Sequence, residues 1–380
     1  MASIVPSLAD VFATIPDPRH ARGLRHPLVP LLLLSCVAML AEARGQSGIA
    51  DWAKNYGEPW RSRLGFTHPT GPSQATLQRL FAHIAVDVRE AQLAQWMQQV
   101  CVALRGNPAG EPALVGVAMD GKTLRTRRQC GATETHLVSL CRHQLGLVLG
   151  QIAVSDKANE ITASEDLLAL LMLTGVTVTG DAMFTQQAIA QTILDTGNDY
   201  LLVVKGNQPT LHEEIVTLFA DPDAVVTRAH ETTIHSQRHE RRCLRASTEL
   251  TGYSDWPGLA QVLCMERHVT NSHTGRQHYE RAYAVTSLPP TRATAAQLLT
   301  LWREHWHIET KLHYVRDVTY GEDASTVRTA TAPHALAAVR NLALALQRSN
   351  GATNIAAACR CYAAQPARAL AAVGLSCDFE

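Results

Sequence analysis

The sequence has no surplus of charge: 34 Lys and Arg residues cancel 34 Asp and Glu residues over 380 positions. Net charge therefore offers no attraction to a polyanion, and any nucleic-acid surface has to arise from local clustering. Metal-binding cysteine pairs are also missing. Nine cysteines stand at 36, 101, 130, 141, 243, 264, 359, 361 and 377 with no C-x-x-C among them. An odd, scattered set argues against a zinc or disulfide framework and for free thiols in a reducing cytoplasm. No apolar run reaches the ~20 residues that span a bilayer. The nearest approach, Leu28 to Ala43, follows Arg19, Arg22 and Arg25 like a secretion signal, but it lies far from Met1, carries Pro30 and has no cleavage site after it. It reads as a buried helix, with no membrane partner. No internal repeat is found.

What is present is a foldable composition, 46% hydrophobic and 18% charged, in a length that suits two to three domains. Residues 1 to about 105 read as helical. Pro30 opens one helix, Ser47 to Tyr56 forms another, Ser73 caps a third through Leu80 and Ile84, and a fourth runs from about Val88 to Leu104. Gly106-Asn107-Pro108 then reads as a linker.

Beyond it the periodicity changes to that of strands. Val115 to Asp120, His136 to Arg142 and Leu147 to Ser155 are successive strands. Next come a helix at Ser164 to Leu173, a strand at Val176 to Gly180, a helix at Gln186 to Leu194, a strand at Tyr200 to Val204 and a helix from Pro209. This order predicts an α/β catalytic domain over about 110–350, a mixed sheet flanked by helices. Residues of about 220–290 are strand-rich again, with Val262 to Val269 and Arg281 to Ser287 clearest, and read as an inserted sheet. Helices return at Leu298 to about Val315 and Thr331 to Gln347, and the Ala-rich tail over 351–380 is expected to be helical.

Asp120 is expected to end the strand VGVAMD, and Asp181 follows VTVTG in the same way. Two strand-end carboxylates at one sheet edge repel unless a proton or cation lies between them, and hard oxygen donors suit Mg²⁺ or Mn²⁺. Glu309 supplies a third acid. Trp302, His305, Glu309, His313 and Arg316 recur at helical spacing and predict one stripe along a helix. Singly, each acid also fits an ordinary turn or solvated helix position; the order of strands around all three favours the functional reading.

Five longer words fit the same picture: MDGKTLR at 119–125, LVLGQIAVSDKANEI at 147–161, TGDAMFTQ at 179–186, DYLLVVKGNQP at 199–209 and HWHIETKLHYVRDVTYGED at 305–323. With them the chain closely resembles insertion-sequence transposases of the DDE type, in the H-repeat-associated group. IPDPRHARGLRHPL and PSQATLQRL, nearer the start, resemble that group's amino-terminal associated domain. The resemblance implies a ribonuclease-H-like catalytic fold with a β-rich insertion between the second and third acids. It implies that Asp120, Asp181 and Glu309 hold two Mg²⁺ or Mn²⁺ ions. It further implies double-stranded DNA, both transposon ends and target, as the partner, and a homodimer or higher oligomer on that DNA in the bacterial cytoplasm. Spacings of 61 and 128 residues between successive acids leave room for the insertion. Many DDE relatives outside the group carry Y-x2-R-x3-E-x6-K around the third acid, whereas this chain has Trp302, His305, Glu309 and Arg316 there. Thr310 and Tyr314 stand where the group commonly has Asn and Trp.

Several cations flank these acids. Lys122, Arg125, Arg127 and Arg128 follow the first acid, and Lys205, Asn207 and Gln208 leave the strand after the second; phosphate contact is expected of both sets, as it is of His305 and Arg316. Lys157, Asn159 and Glu160 read equally as a polar turn. Arg238, Arg241, Arg242 and Arg245 read as a solvated strand face or a track for a DNA end. In the helical region Arg19, Arg22, Arg25, Arg61, Arg63 and Arg79 are candidates for binding transposon ends, with Ser73 to Leu80 as a recognition helix; Trp52, Trp60 and Trp96 read as core. Two other functions compete with transposition. One is a domesticated nuclease that cuts without joining, and the other is a non-catalytic DNA-binding remnant, whose usual mark would be a lost acid.

Overall fold

A computed structural model describes residues 6–20, 24–84, 86–104, 114–124, 135–154 and 160–375. The Gly106–Pro108 linker reading and the candidates Arg22, Arg125, Arg127, Arg128, Lys157 and Asn159 lie outside them.

Six helices precede the first strand: α1 (Leu8–Ala13), α2 (Leu28–Leu40), α3 (Gln46–Asn55), α4 (Gly57–Leu64), α5 (Gln74–His83) and α6 (Val86–Leu104). Helix α2 is apolar on every side, so it needs neighbours all round. It has them in α1, α3 and α4 and in three helices from the other end of the chain. Pro30 sits in its first turn, where a missing N–H removes no intrahelical bond. Ser73 caps α5 as expected, its hydroxyl accepting from the Thr76 N–H at 3.3 Å. The short helices α1 and α4 carry no long periodic signal and were not anticipated by the pattern.

Next come β1 (Gly116–Leu124), β2 (Thr135–Arg142), β3 (Val148–Val154), α7 (Glu160–Leu171), β4 (Thr177–Gly180), α8 (Gln187–Asp195), β5 (Asp199–Val204) and α9 (Pro209–Ala220). Then β6 (Thr227–His235), β7 (Arg238–Ser247), β8 (Gln261–Asn271) and β9 (Gln277–Thr286) lead to α10 (Ala295–His305). One nine-stranded sheet contains all the strands in the order β3-β2-β1-β4-β5-β9-β8-β7-β6. Strands β4 and β5 are buried throughout and run parallel to β1, as central strands covered on both faces do. The inserted strands form no sheet of their own. Strand β9 pairs antiparallel with β5, Leu201 opposite Thr286 through Val204 opposite Tyr283, so the insertion prolongs the main sheet. Joining the open β5 edge satisfies its backbone groups, which a free insertion would have left exposed. Helix α10 is capped by a Thr294/Gln297 capping box. Its apolar face, with Leu298, Leu301 and Trp302, packs with Leu201, Val203, Leu244 and Leu263 in one cluster across the join.

After α10 come two π-helical turns, Ile308–His313 and Val315–Thr319, then α11 (Ala332–Ser349), α12 (Ile355–Ala364) and α13 (Pro366–Ala372). The helical start and the sheet share one core, from Leu8 to Val373. A buried polar link ties them further. Glu90 of α6 accepts from Gln151 of β3 at 3.1 Å and lies 3.0 Å from His334 Nε2 of α11, while Asn341 donates to Gln151 at 2.9 Å. Among the described residues, no helix is long and apolar enough to cross a membrane.

Candidate active site

Strands β1 and β4 pair from Gly116 opposite Thr177 to Met119 opposite Gly180, and there they part. On its other side β1 stays paired with β2 as far as Leu124. Asp120 therefore does not end its strand, as the sequence pattern suggested; the strand runs on through Gly121-Lys122-Thr123-Leu124. It is instead the first residue beyond the fork. Asp181 is the first residue after β4, so both acids leave the same edge of the sheet, close enough for Asp181 to help raise Asp120.

The third acid comes from above that edge. Glu309 lies in the first π-helical turn, half exposed, and the buried His313 follows it. His313 Nδ1 is 3.4 Å from Asp120 Oδ2 and 3.5 Å from Glu309 Oε2. One ligand atom from each of these three residues lies within 4.8 Å of the others, a spacing that one cation could bridge. Asp181, whose side chain is 60% exposed, stands beside this group with its Oδ1 3.7 Å from His305 Nε2. His305 Nδ1 in turn lies 2.8 Å from Thr179 Oγ1, which lies 2.8 Å from His143 Nε2. His307 leaves the helix on another side, its Nδ1 3.0 Å from the His143 carbonyl.

The electrostatics mark Asp120 as the strained member. Burial and then the Glu309 carboxylate, with Asp181 and Glu160 adding, push Asp120 up to about 7. Glu309 moves the other way, because a hydrogen bond from His313 outweighs its burial. A carboxyl held up by two neighbouring acids is one whose repulsion a cation would relieve. Carboxylate oxygens with a single imidazole form a largely hard donor set that fits a divalent ion of the Mg²⁺ or Mn²⁺ class. His313 thus places a nitrogen beside the oxygen atoms that the three acids by themselves suggested.

Other sequence candidates divide into three groups. Lys205 is exposed directly after β5, at the same edge, with no ion-pair partner among the described residues. Asn207 donates to the carbonyls of Ala182 at 2.6 Å and Thr185 at 3.2 Å, and Gln208 donates to the Thr185 carbonyl at 3.0 Å; both brace the loop that carries Asp181. Lys122 and Arg316 are taken up by the chain's own acids, although Lys122 is still near enough to Glu309 to help lower it. Lys122 is buried against Asp317 and lies 3.5 Å from Glu322. Arg316 is fully buried and donates to both Glu322 oxygens, at 2.8 and 2.9 Å, so in this structure it has no access to phosphate. Burial alone would raise Glu322, but Arg316, Arg340 and Lys122 hold it at about 2. In the insertion, Arg242 is neutralised by Glu240 at 2.6 Å and Arg245 lies 3.6 Å from Glu266, while Arg241 is exposed.

Three residues at the site had little or no signal in the sequence, and a fourth, Glu160, read equally as a polar turn. His313 was visible only as a member of the stripe. Thr179 looked like ordinary strand filler. Glu160, buried at the start of α7, has an oxygen with no hydrogen bond and faces Gly121, where a Cβ would stand 3.4 Å from it. His143 lies outside every motif. It packs so closely on Gly116 that a Cβ there would sit 2.2 Å from His143 Nδ1, so only glycine fits that position. Burial, with His305 next, pushes His143 down to about 3, so its ring is neutral.

Comparison with known proteins gives this edge a family. The Transposase DDE domain family model matches residues 111–346, and the model described as DDE_Tnp_1-associated matches residues 9–97. "Putative transposase YncI" of Escherichia coli O157:H7 is 31% identical over 356 residues, covering 90% of this chain and 88% of its own. "H repeat-associated putative transposase YhhI" of Escherichia coli strain K12 is 29% identical over 351 residues, covering 89% of each. Among solved structures, a piggyBac transposase synaptic complex with hairpin DNA gives a TM-score of 0.40 at 10% identity, covering 98% of this chain and 78% of its own, too distant to carry an argument. The match over most of the chain, in both of its parts, makes the protein a member of the DDE transposase family, akin to the H repeat-associated transposases.

Proposed function

We propose that the protein is an active transposase that cuts DNA at the ends of an insertion sequence and joins the freed ends to a target. In this reading Asp120, Asp181 and Glu309 together hold two Mg²⁺ or Mn²⁺ ions in a ribonuclease-H-like core. The observation that carries it is the fork between β1 and β4, which brings two acids to one edge of the sheet beside a third and leaves Asp120 raised to about 7. The strand order β3-β2-β1-β4-β5, antiparallel and then parallel, supports the core assignment.

When bound, such ions activate a water or a 3′-hydroxyl and stabilise the leaving oxygen of an in-line displacement at phosphorus. The chain's own part is placement. Asp120 is fixed by the sheet, Asp181 by the loop that Asn207 and Gln208 brace, and Glu309 by His313. His305 orients Asp181, and His305 is itself held through Thr179 by the neutral His143. Lys205, with no ion-pair partner among the described residues, stands at the edge to meet a phosphate of the DNA. Residues before β1 are assigned to transposon ends, and the protein is expected to act as a dimer or larger assembly on DNA in the bacterial cytoplasm.

A nuclease that cuts without joining would use the same edge, since hydrolysis and strand transfer differ only in the nucleophile. Pre-cut duplexes made from the DNA flanking the gene, incubated with a plasmid target and Mg²⁺, separate the two. Joined products are expected; cleavage of uncut ends with no joining of pre-cut ones would leave a nuclease.

A further inference from the structure

Away from the acids, two open clefts of about 550 and 700 Å³ lie on either side of helix α5. Arg79 and His83, one helical turn apart and both exposed, line both clefts and so stand on the ridge between them. Gln74 and Gln78 face the first cleft, while Ser73 and Thr76 face the second.

The walls have one sign of charge. Arg44 and Arg328 line the first cleft and Arg25 the second, and no aspartate or glutamate lines either among the described residues. In a chain with equal numbers of acids and bases, such a stretch is a local excess that net charge conceals. Arg25, Arg44, Arg79 and Arg328 have no ion-pair partner among the described residues, and the Arg328 Nε is buried without an acceptor. Arg19, by contrast, is neutralised by Asp17 at 2.6 Å. Burial and then His68, with Arg19 and Arg25 adding, hold His26 below its usual range.

The first cleft is also composite. Arg44 precedes α3, whereas Ala324 to Thr329 come from the segment that follows the third acid. Thr331 donates to the Phe81 carbonyl of α5 at 3.0 Å, and Arg340 donates both to the Arg44 carbonyl at 3.1 Å and to Glu322 at 3.0 Å. The seam is therefore tied to the stretch that carries Glu309.

We propose that α5 enters the major groove of duplex DNA and that the two clefts seat the phosphate backbones on its flanks, one strand at Arg44 and Arg328, the other at Arg25. A helix fits the major groove, and side chains on its crest reach base edges while flanking cations bind phosphate. Arg79 then stands where it can meet a base or the nearer phosphates. The site is built jointly by the helical region and the catalytic region, so residues 1–105 alone lack half of one wall. This rests on the transposase reading for the identity of the polyanion.

The test uses the full-length protein and a short duplex taken from the DNA flanking the gene, with binding measured over a range of salt. Wild type is expected to lose affinity steeply as salt rises. Arg44→Gln, Arg328→Gln and Arg25→Gln should each weaken binding and lower the slope of log K against log salt by about 0.9, the value of one released phosphate contact. Arg79→Gln should also weaken binding, and Arg360→Gln, on the exposed side of α12, should leave it unchanged. The melting temperature of each variant identifies any that misfold, and those that keep it decide the matter. Wild-type slopes in folded Arg44→Gln and Arg328→Gln would overturn the groove while leaving the transposase reading standing. Absence of salt-dependent binding by wild type itself would overturn both.

Discussion

Glu309 and Glu322 lie on one irregular stretch of chain, yet their surroundings are opposite. Glu309 is half exposed and stands beside Asp120 and Asp181, so negative charge is balanced only in part, by His313 and by the more distant Lys122 and His305. Glu322 is buried and takes hydrogen bonds from Arg316 and Arg340, with Lys122 at 3.5 Å. At the first cluster a carboxyl is pushed up to about 7; at the second one is held down to about 2. The difference teaches how to separate two uses of charge. Where the chain supplies its own counter-ions, charge holds the fold together; where it withholds them, charge is kept for something that binds.

Replacing an acid on the open side removes function and spares the fold. Asp120→Asn, Asp181→Asn and Glu309→Gln are each expected to lower DNA cleavage by at least about a thousandfold, as loss of one member of a cooperating catalytic set does. The melting temperature of Asp120→Asn should stay at or above wild type, since repulsion is relieved, while Glu309→Gln gives up a charged hydrogen bond with His313 and should lose only a little. A variant that melts early and cuts normally would put that acid in the structural class.

On the closed side the effects exchange places. Glu322→Gln leaves Arg316 and Arg340 buried without a full counter-charge and should cost about 3–5 kcal/mol of stability, read by denaturant unfolding. A change well under 1 kcal/mol would mean that the cluster does not hold the fold. Gly116→Ala probes the brace behind the open side. Its Cβ would strike His143, so a loss of about 1–3 kcal/mol is expected, with cleavage reduced through a displaced His305. Unchanged stability and unchanged cleavage would remove the brace from the account.

The last test is the one with pH, and its sign differs between the clusters. Asp120 has a folded value above its ordinary one of about 3.9, so its contribution to stability is full below that value and is lost as pH rises through about 7. Glu322 has a lowered value, so its contribution is present above the ordinary carboxylate range and is lost as pH falls through about 2. Metal-free wild type should therefore lose melting temperature between pH 5 and pH 8 relative to Asp120→Asn, and Mg²⁺ should restore it at pH 8. Parallel pH curves for the two proteins would contradict the assignment to Asp120.

The fold was legible wherever local pattern decides structure. The strands around Asp120 and Asp181, the cap at Ser73 and the buried helix at Leu28–Leu40 all carry their signal in neighbouring residues. What the inserted strands pair with was not legible, because joining β9 to β5 is a long-range choice. The stripe from Trp302 to Arg316 was half right. His305, Glu309 and His313 do gather at the acids, but the π-helical turns from Ile308 onward bond five residues apart and change the register, which brings Arg316 into the core. Lys122 reads as a phosphate-binding cation from sequence, and only the fold discloses Asp317 and Glu322 beside it. His143 and Thr179 reach the site through contacts that no spacing encodes.

The claim on which the rest depends is that the unbalanced acids hold divalent metal to process DNA. The direct measurement is cleavage of a plasmid carrying the gene with its flanking DNA, by protein freed of metal with EDTA and then resupplied. The account predicts no cleavage in EDTA, recovery with Mg²⁺ or Mn²⁺, and no comparable recovery with Ca²⁺, whose looser coordination positions a nucleophile less well. Cleavage at the full rate by exhaustively chelated protein would contradict it, and with it the roles given to Asp120, Asp181 and Glu309.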